Sequence, residues 1–118
     1  VECKSAVQCL VNHQNRHFLV GEWNGSLSAH TFQRPSKSKK RRQYQPLTSR
    51  KPHSDCLSTL LISESGNIIT ASHDRTFCLH DPETLTSTAT LRLPSGVTCG
   101  DMLGQSVVLG HASGLVSI

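Results

Sequence analysis

No apolar run in this chain approaches the roughly 18 residues that cross a bilayer as a helix, and no signal peptide is visible at its start. Apolar residues make up only 36% of the 118, which is low for a compact enzyme. Five cysteines, Cys3, Cys9, Cys56, Cys78 and Cys99, form no CxxC pair. Their odd number and their setting, mostly in apolar alternation, argue against a disulfide framework and for a reducing, intracellular setting, cytoplasmic or nuclear. The chain also lacks the frames of common enzymes: no GxSxG elbow, no His-Glu pair at helical metal-binding spacing, no glycine-rich phosphate loop. Ser72, His73 and Asp74 are adjacent, but neighbours on a turn point in different directions, so His73 is expected to be an exposed turn residue and not a catalytic base. No catalytic residue and no cofactor are expected.

Cys3, Cys9, His13 and His17 are the residue types that ligate zinc. Only three residues separate Cys9 from His13, however, against the dozen or so of a finger, and Cys9 alternates with Val7 and Val11. A buried strand cysteine is the expected reading, and no metal site.

Acidic residues are absent from residues 34–51, where eight of the twelve Lys and Arg fall, so that segment carries +8 while the remainder holds four bases and eight acids. At its centre lies PSKSKKRRQYQP (35–46), with Lys37, Lys39, Lys40, Arg41 and Arg42. Three readings stand beside one another: a solvated loop whose lysines discourage edge pairing, a nuclear address, or a contact for phosphate or an acidic partner. Ser36 and Ser38 lie inside the run, where phosphorylation would subtract up to about two charges each.

What is present is a repeat. FLVGEWNGSLSAH (18–30), IITASHDRTFCLH (68–80) and VVLGHASGLVSI (107–118) each show a short apolar run, a polar turn and a second alternating run, the pattern of a β-hairpin. Their turns, Asn24-Gly25, Asp74-Arg75 and Ser113-Gly114, are 50 and 39 residues apart. A further alternating strand precedes each hairpin, AVQCLV (6–11), CLSTLLI (56–62) and GVTCGDML (96–103), and Val7, Leu57 and Val97 repeat at spacings of 50 and 40. TSTATLRL (86–93), with Ala89, Leu91 and Leu93 on one face, supplies a fourth strand. The unit is four short antiparallel strands in about 40 residues, and the surplus of the first unit coincides with the basic segment. The units read as 1–33, a basic insertion with a possible outer strand at 34–52, 53–94, and a truncated third at 95–118.

The stretch HSDCLSTLLISESGNIITASHDRTFCLHDPET (53–84) resembles a WD-repeat unit. His53 matches the histidine before the first strand, Thr70 the hydroxyl on the second, Asp74 the turn aspartate, and His80-Asp81 stands where the family usually has Trp-Asp. The first unit departs further, with His30-Thr31 at the dipeptide and Val20 at the hydroxyl. The resemblance implies an all-β fold, a fragment of a β-propeller built from four-stranded antiparallel blades. It also implies a buried network linking His53, Thr70, Asp74 and His80. Two and a half to three units cannot close a ring, so a parent chain or assembly is expected to supply further blades.

In the family the turn opens on the face where partners dock, and the residue before the turn aspartate commonly points toward them. The equivalents here are Trp23, the sole tryptophan, His73 and Ala112. Trp23 is either an exposed partner contact or packed across a neighbouring blade. The implied function is a non-catalytic scaffold for protein–protein interaction. The alternative is a propeller of a ribonucleoprotein or chromatin complex that holds nucleic acid through residues 34–51.

Overall fold

The computed structural model describes residues 3–13, 17–31 and 48–118, and every regular element among them is a strand. Three antiparallel sheets follow one another along the chain. The first runs β1 (Val7–His13), β2 (His17–Glu22), β3 (Leu27–Thr31), β4 (Thr48–Arg50). The second runs β5 (Leu57–Ile62), β6 (Ile68–Ser72), β7 (Thr76–His80), β8 (Ser87–Arg92). The third holds β9 (Val97–Leu103), β10 (Ser106–His111) and β11 (Val116–Ser117). In each sheet spatial order is chain order, the up-and-down meander of a propeller blade. The inner strands β1, β5 and β9 lie side by side, so the sheets fan outward from one edge. The basic residues Lys37, Lys39, Lys40, Arg41 and Arg42 lie outside the described residues, while β4 just beyond them pairs with β3 as the outer strand of the first blade.

Burial follows each strand's place in the fan. All five residues of β6, IITAS, are buried, because the second blade is covered on both faces. All six residues of β8 are exposed. The alternation of Ala89 and Leu91 therefore marks a strand but buries no face: β8 is the outermost strand, and Leu91 is 60% exposed. The core is divided between the two blade junctions. Leu19, Leu27, Leu57, Leu60, Ile68 and Leu85 join the first blade to the second, with Cys9, Val11, Ala29 and Ile62 packed at the margin. Ala71, Val97 and Leu109, with Phe77, Leu93 and Val107, join the second to the third. A leucine as enclosed as Leu57 contributes about 1.5–3 kcal/mol through burial.

The three inner strands share a feature of backbone geometry. The pairing register shifts between Val7 and Cys9 in β1, between Leu57 and Thr59 in β5, and opposite the Gly110/His111 step in β9. The skipped residues are Gln8, Ser58 and Thr98, one bulge on each inner strand at the period of the repeat, and the outer strand β8 carries a further one at Thr88. A bulge inserts an unpaired residue and sharpens local twist. On two of the three inner strands it also re-aims a hydroxyl: Ser58 Oγ donates to the carbonyls of Ala71 and Val97, and Thr98 Oγ1 to that of Gly110.

Candidate functional site

The β2–β3, β6–β7 and β10–β11 turns are built alike. After the second strand of each blade, the backbone N–H of Trp23, His73 and Ala112 donates to the carbonyl of Ala6, Cys56 and Gly96, at 2.8, 3.2 and 2.8 Å. Two residues on, Gly25, Arg75 and Gly114 take φ of 90°, 70° and 90°, closing each turn in the left-handed region. Arg75 adopts this conformation despite its side chain. At Gly25 no substitute would fit, since a Cβ there would lie 2.1 Å from the carbonyl oxygen of His53.

This geometry places Trp23, His73 and Ala112 in a row on one face. Trp23 is 55% exposed, and its ring meets the edge of His73 at 6.3 Å and 81°. The indole touches the neighbouring blade and leaves over half its surface to solvent. His73 is half-buried and not the exposed turn residue expected, because the indole covers one side and the third blade approaches the other. Between blades two and three an open groove of about 440 Å³ runs past His73, Arg75, Pro94, Ser95, Gly96 and Ala112. Gly96 is one of the lining residues, and a Cβ there would come within 2.8 Å of the His73 carbonyl.

Beneath the face the second blade carries a continuous polar network. Asp74 Oδ1 accepts from the Thr76 hydroxyl at 2.5 Å and the Thr76 amide at 2.9 Å, and Oδ2 accepts from the Ser54 amide at 3.0 Å. His53 Nδ1 lies 3.2 Å from Asp74 Oδ2 and 2.8 Å from Thr76 Oγ1. His53 Nε2 and His80 Nε2 each lie 2.7 Å from Thr70 Oγ1, and His80 Nδ1 lies 3.1 Å from the Leu85 carbonyl. The four residues singled out from sequence, His53, Thr70, Asp74 and His80, thus stand in contact. Thr76 and the Leu85 carbonyl, which the sequence did not single out, complete the set. Burial works against the charged form of Asp74, but the Thr76 hydroxyl, the Ser54 amide, His53 and the Thr76 amide together hold its pKa below the ordinary value. For His53, burial lowers the pKa and Asp74 partly offsets it, and burial likewise lowers that of His80.

The other blades fasten the same loop differently. The last residue of the second strand is Glu22, Ser72 or His111, and each reaches the loop before its blade's first strand. Glu22 Oε1 accepts from the Ser5 amide at 3.0 Å, Ser72 Oγ donates to the Asp55 carbonyl at 3.2 Å, and His111 Nδ1 donates to the Ser95 carbonyl at 3.0 Å. Three side-chain chemistries do one job, which is why no residue pattern announced it. Cys9 is half-buried and donates to the Leu57 carbonyl at 3.3 Å, and burial foremost, with Cys56 adding, pushes its thiol up to about 11. Among the described residues no three His, Cys, Asp or Glu side chains gather as metal ligands, and no helix is long and apolar enough to cross a membrane.

No protein-family model and no curated protein sequence matches the chain. Solved structures do. The WD40 β-propeller domain of Doa1 superposes with a TM-score of 0.81 at 16% identity, over 97% of this chain and 36% of that one. The β-propeller domain of Cps50 (Swd1) from Myceliophteria thermophila gives 0.73 at 12% identity, over 93% and 34%. The computationally designed protein Ika8 gives 0.74 at 21% identity, over 97% and 33%. The chain has the fold of WD40 β-propeller blades and spans about a third of the length of each of these proteins.

Proposed function

We propose that the chain belongs to a non-catalytic WD-repeat scaffold that docks a segment of a partner protein across Trp23, His73 and the adjoining groove. The supporting observation is the half-exposed indole of Trp23 held edge-on by His73 beside an open cleft. A large rigid aromatic fixed before binding buries area at little entropic cost. The fold supports interaction of this kind without naming a partner. Further blades, from the parent chain or an assembly, cover Val7 and Leu10 on β1 and Leu103 and Val116 on the third blade, which are 52–72% exposed here.

The second reading gives residues 34–51 a nucleic-acid contact, and the observation in its favour is the concentration of eight positive charges with no acid. Quantitative affinity capture with the full-length protein separates the two. The scaffold reading expects Trp23→Ala and His73→Ala to lose a defined set of proteins that survives nuclease treatment and neutralisation of Lys39, Lys40, Arg41 and Arg42. Loss of that set on nuclease treatment, with no effect of Trp23→Ala, would overturn it in favour of the basic segment.

A further inference from the structure

The polar network of the second blade has fewer hydrogens than places for them. The Leu85 carbonyl can only accept, so His80 Nδ1, 3.1 Å away, carries a hydrogen. A neutral His80 therefore presents a bare Nε2 to Thr70. The single hydroxyl hydrogen of Thr70 goes to it across 2.7 Å. Toward His53 the same hydroxyl can then only accept, which puts a hydrogen on His53 Nε2 at 2.7 Å. In neutral His53 this leaves Nδ1 bare. Yet Nδ1 faces a carboxylate, at 3.3 and 3.2 Å from the two oxygens of Asp74, and the Thr76 oxygen at 2.8 Å. One hydrogen, that of the Thr76 hydroxyl, is claimed by both Nδ1 and Asp74 Oδ1.

We propose that Nδ1 of His53 is a proton switch and that the Thr76 hydroxyl reads its state. With the ring neutral, Thr76 donates to Nδ1, and Asp74 rests on the amides of Ser54 and Thr76. When a proton is taken from solvent onto Nδ1, the new N–H turns to Asp74 and the Thr76 hydrogen returns to Oδ1. Every polar group of the chain from Asp74 to Leu85 then has its partner. The added charge sits on His53 and not on His80, because Asp74 borders the first ring while the second, among the described residues, bonds a hydroxyl and a carbonyl.

Among the described residues the groups around the ring are few. Asp74 faces Nδ1 from the turn, and His80 lies beyond Thr70 on β7. Asp55, on the same loop as His53, bonds the amide of Cys56 at 2.6 Å, and the buried Cys56 thiol follows it. From the first blade it is the backbone at Gly25 that closes against His53. The switch ties the loop before β5 to the turn carrying His73. Its effect on docking rests on the scaffold reading, whereas the hydrogen placement does not.

Long-range 1H–15N NMR of the full chain labelled with 15N-histidine tests this placement directly, with His53 assigned by the signal that disappears in His53→Gln. The expected result is a neutral His53 with its hydrogen on Nε2, a neutral His80 with its hydrogen on Nδ1, and uptake of one proton at His53 Nδ1 on acidification. Thr70→Val keeps the shape and removes the relay, so neutral His53 should invert to the Nδ1–H form and face Asp74. A wild-type His53 that is Nδ1–H while neutral would overturn the proposal, as would an unchanged tautomer in a folded Thr70→Val protein. Should that variant not fold, the wild-type tautomer decides alone. Either outcome is read without any partner, so failure here leaves the scaffold reading standing.

Discussion

Removing the carboxylate of Asp74 should be among the most damaging single changes outside the apolar junctions. Four donors converge on it: the amides of Ser54 and Thr76, the Thr76 hydroxyl and, when protonated, His53 Nδ1. Ser54 is exposed and can turn to water, so its loss costs little. The His53 side chain is wholly buried and Thr76 is half-buried, and a buried polar group stranded without its partner costs about 1–3 kcal/mol. With His53 protonated, one full loss there and a partial one at Thr76 should make Asp74→Ala destabilise the blade by about 2–3 kcal/mol, roughly a 30- to 150-fold change in the folding equilibrium; with the ring neutral, Thr76 still serves Nδ1 and the loss falls to about 1 kcal/mol, that of the Thr76 amide. Chemical denaturation of the full-length protein measures this, with Asp74→Asn expected in between because its carbonyl still accepts from one amide. Thr70→Val combined with Asp74→Ala should fall short of additivity, since both act on His53. A loss below about 0.5 kcal/mol for Asp74→Ala, the range of an ordinary surface change, would refute the reasoning.

Gly25→Ala should destabilise by more than about 1 kcal/mol, from the φ of 90° and from collision with the His53 carbonyl, and the same assay reads it. Burial holds the pKa of both His53 and His80 in the folded state below that of the unfolded chain, so their contribution to stability is complete above about pH 6.5 and is lost as pH falls through the folded value. Denaturation midpoints should accordingly drop between about pH 7.5 and pH 5.5, and a flat profile would contradict this. Trp23 emission should be that of a partly hydrated indole in the free protein and should shift when a partner binds; emission typical of a buried ring would contradict the exposure found for it. Neutralising Lys39, Lys40, Arg41 and Arg42 should flatten the log–log salt dependence of any nucleic-acid binding by roughly 0.7–0.9 for each phosphate no longer neutralised, while an unchanged slope would remove the basic segment from consideration.

The blade period was legible because it is written in side chains. Val7, Leu57 and Val97 begin the inner strands, and the three polar turns interrupt apolar runs at nearly the same spacing. The network in the second blade was legible through resemblance, and its four named members do meet. Thr76 was missed because a threonine opening a strand looks like strand propensity alone, yet its hydroxyl bridges Asp74 and His53. The Leu85 carbonyl was out of reach altogether. It is positioned by a residue at φ 61° whose amide bonds the Asp81 carbonyl, and no side chain signals that turn. The bulges at Gln8, Ser58 and Thr98 are events of the backbone and recur under three different residue types. The equivalence of Glu22, Ser72 and His111 is similarly hidden, since a carboxylate, a hydroxyl and an imidazole can each reach a neighbouring loop.

Hydrogen–deuterium exchange on the full-length protein, free and with its captured partner bound, bears most directly on the claim that this chain docks proteins through its turn face. New protection should concentrate at residues 22–26, 72–76, 94–98 and 111–114, the turns and the groove beside Trp23 and His73. Protection confined to residues 34–51 or to the outer strands β4 and β8, with those turns exchanging as before, would contradict it.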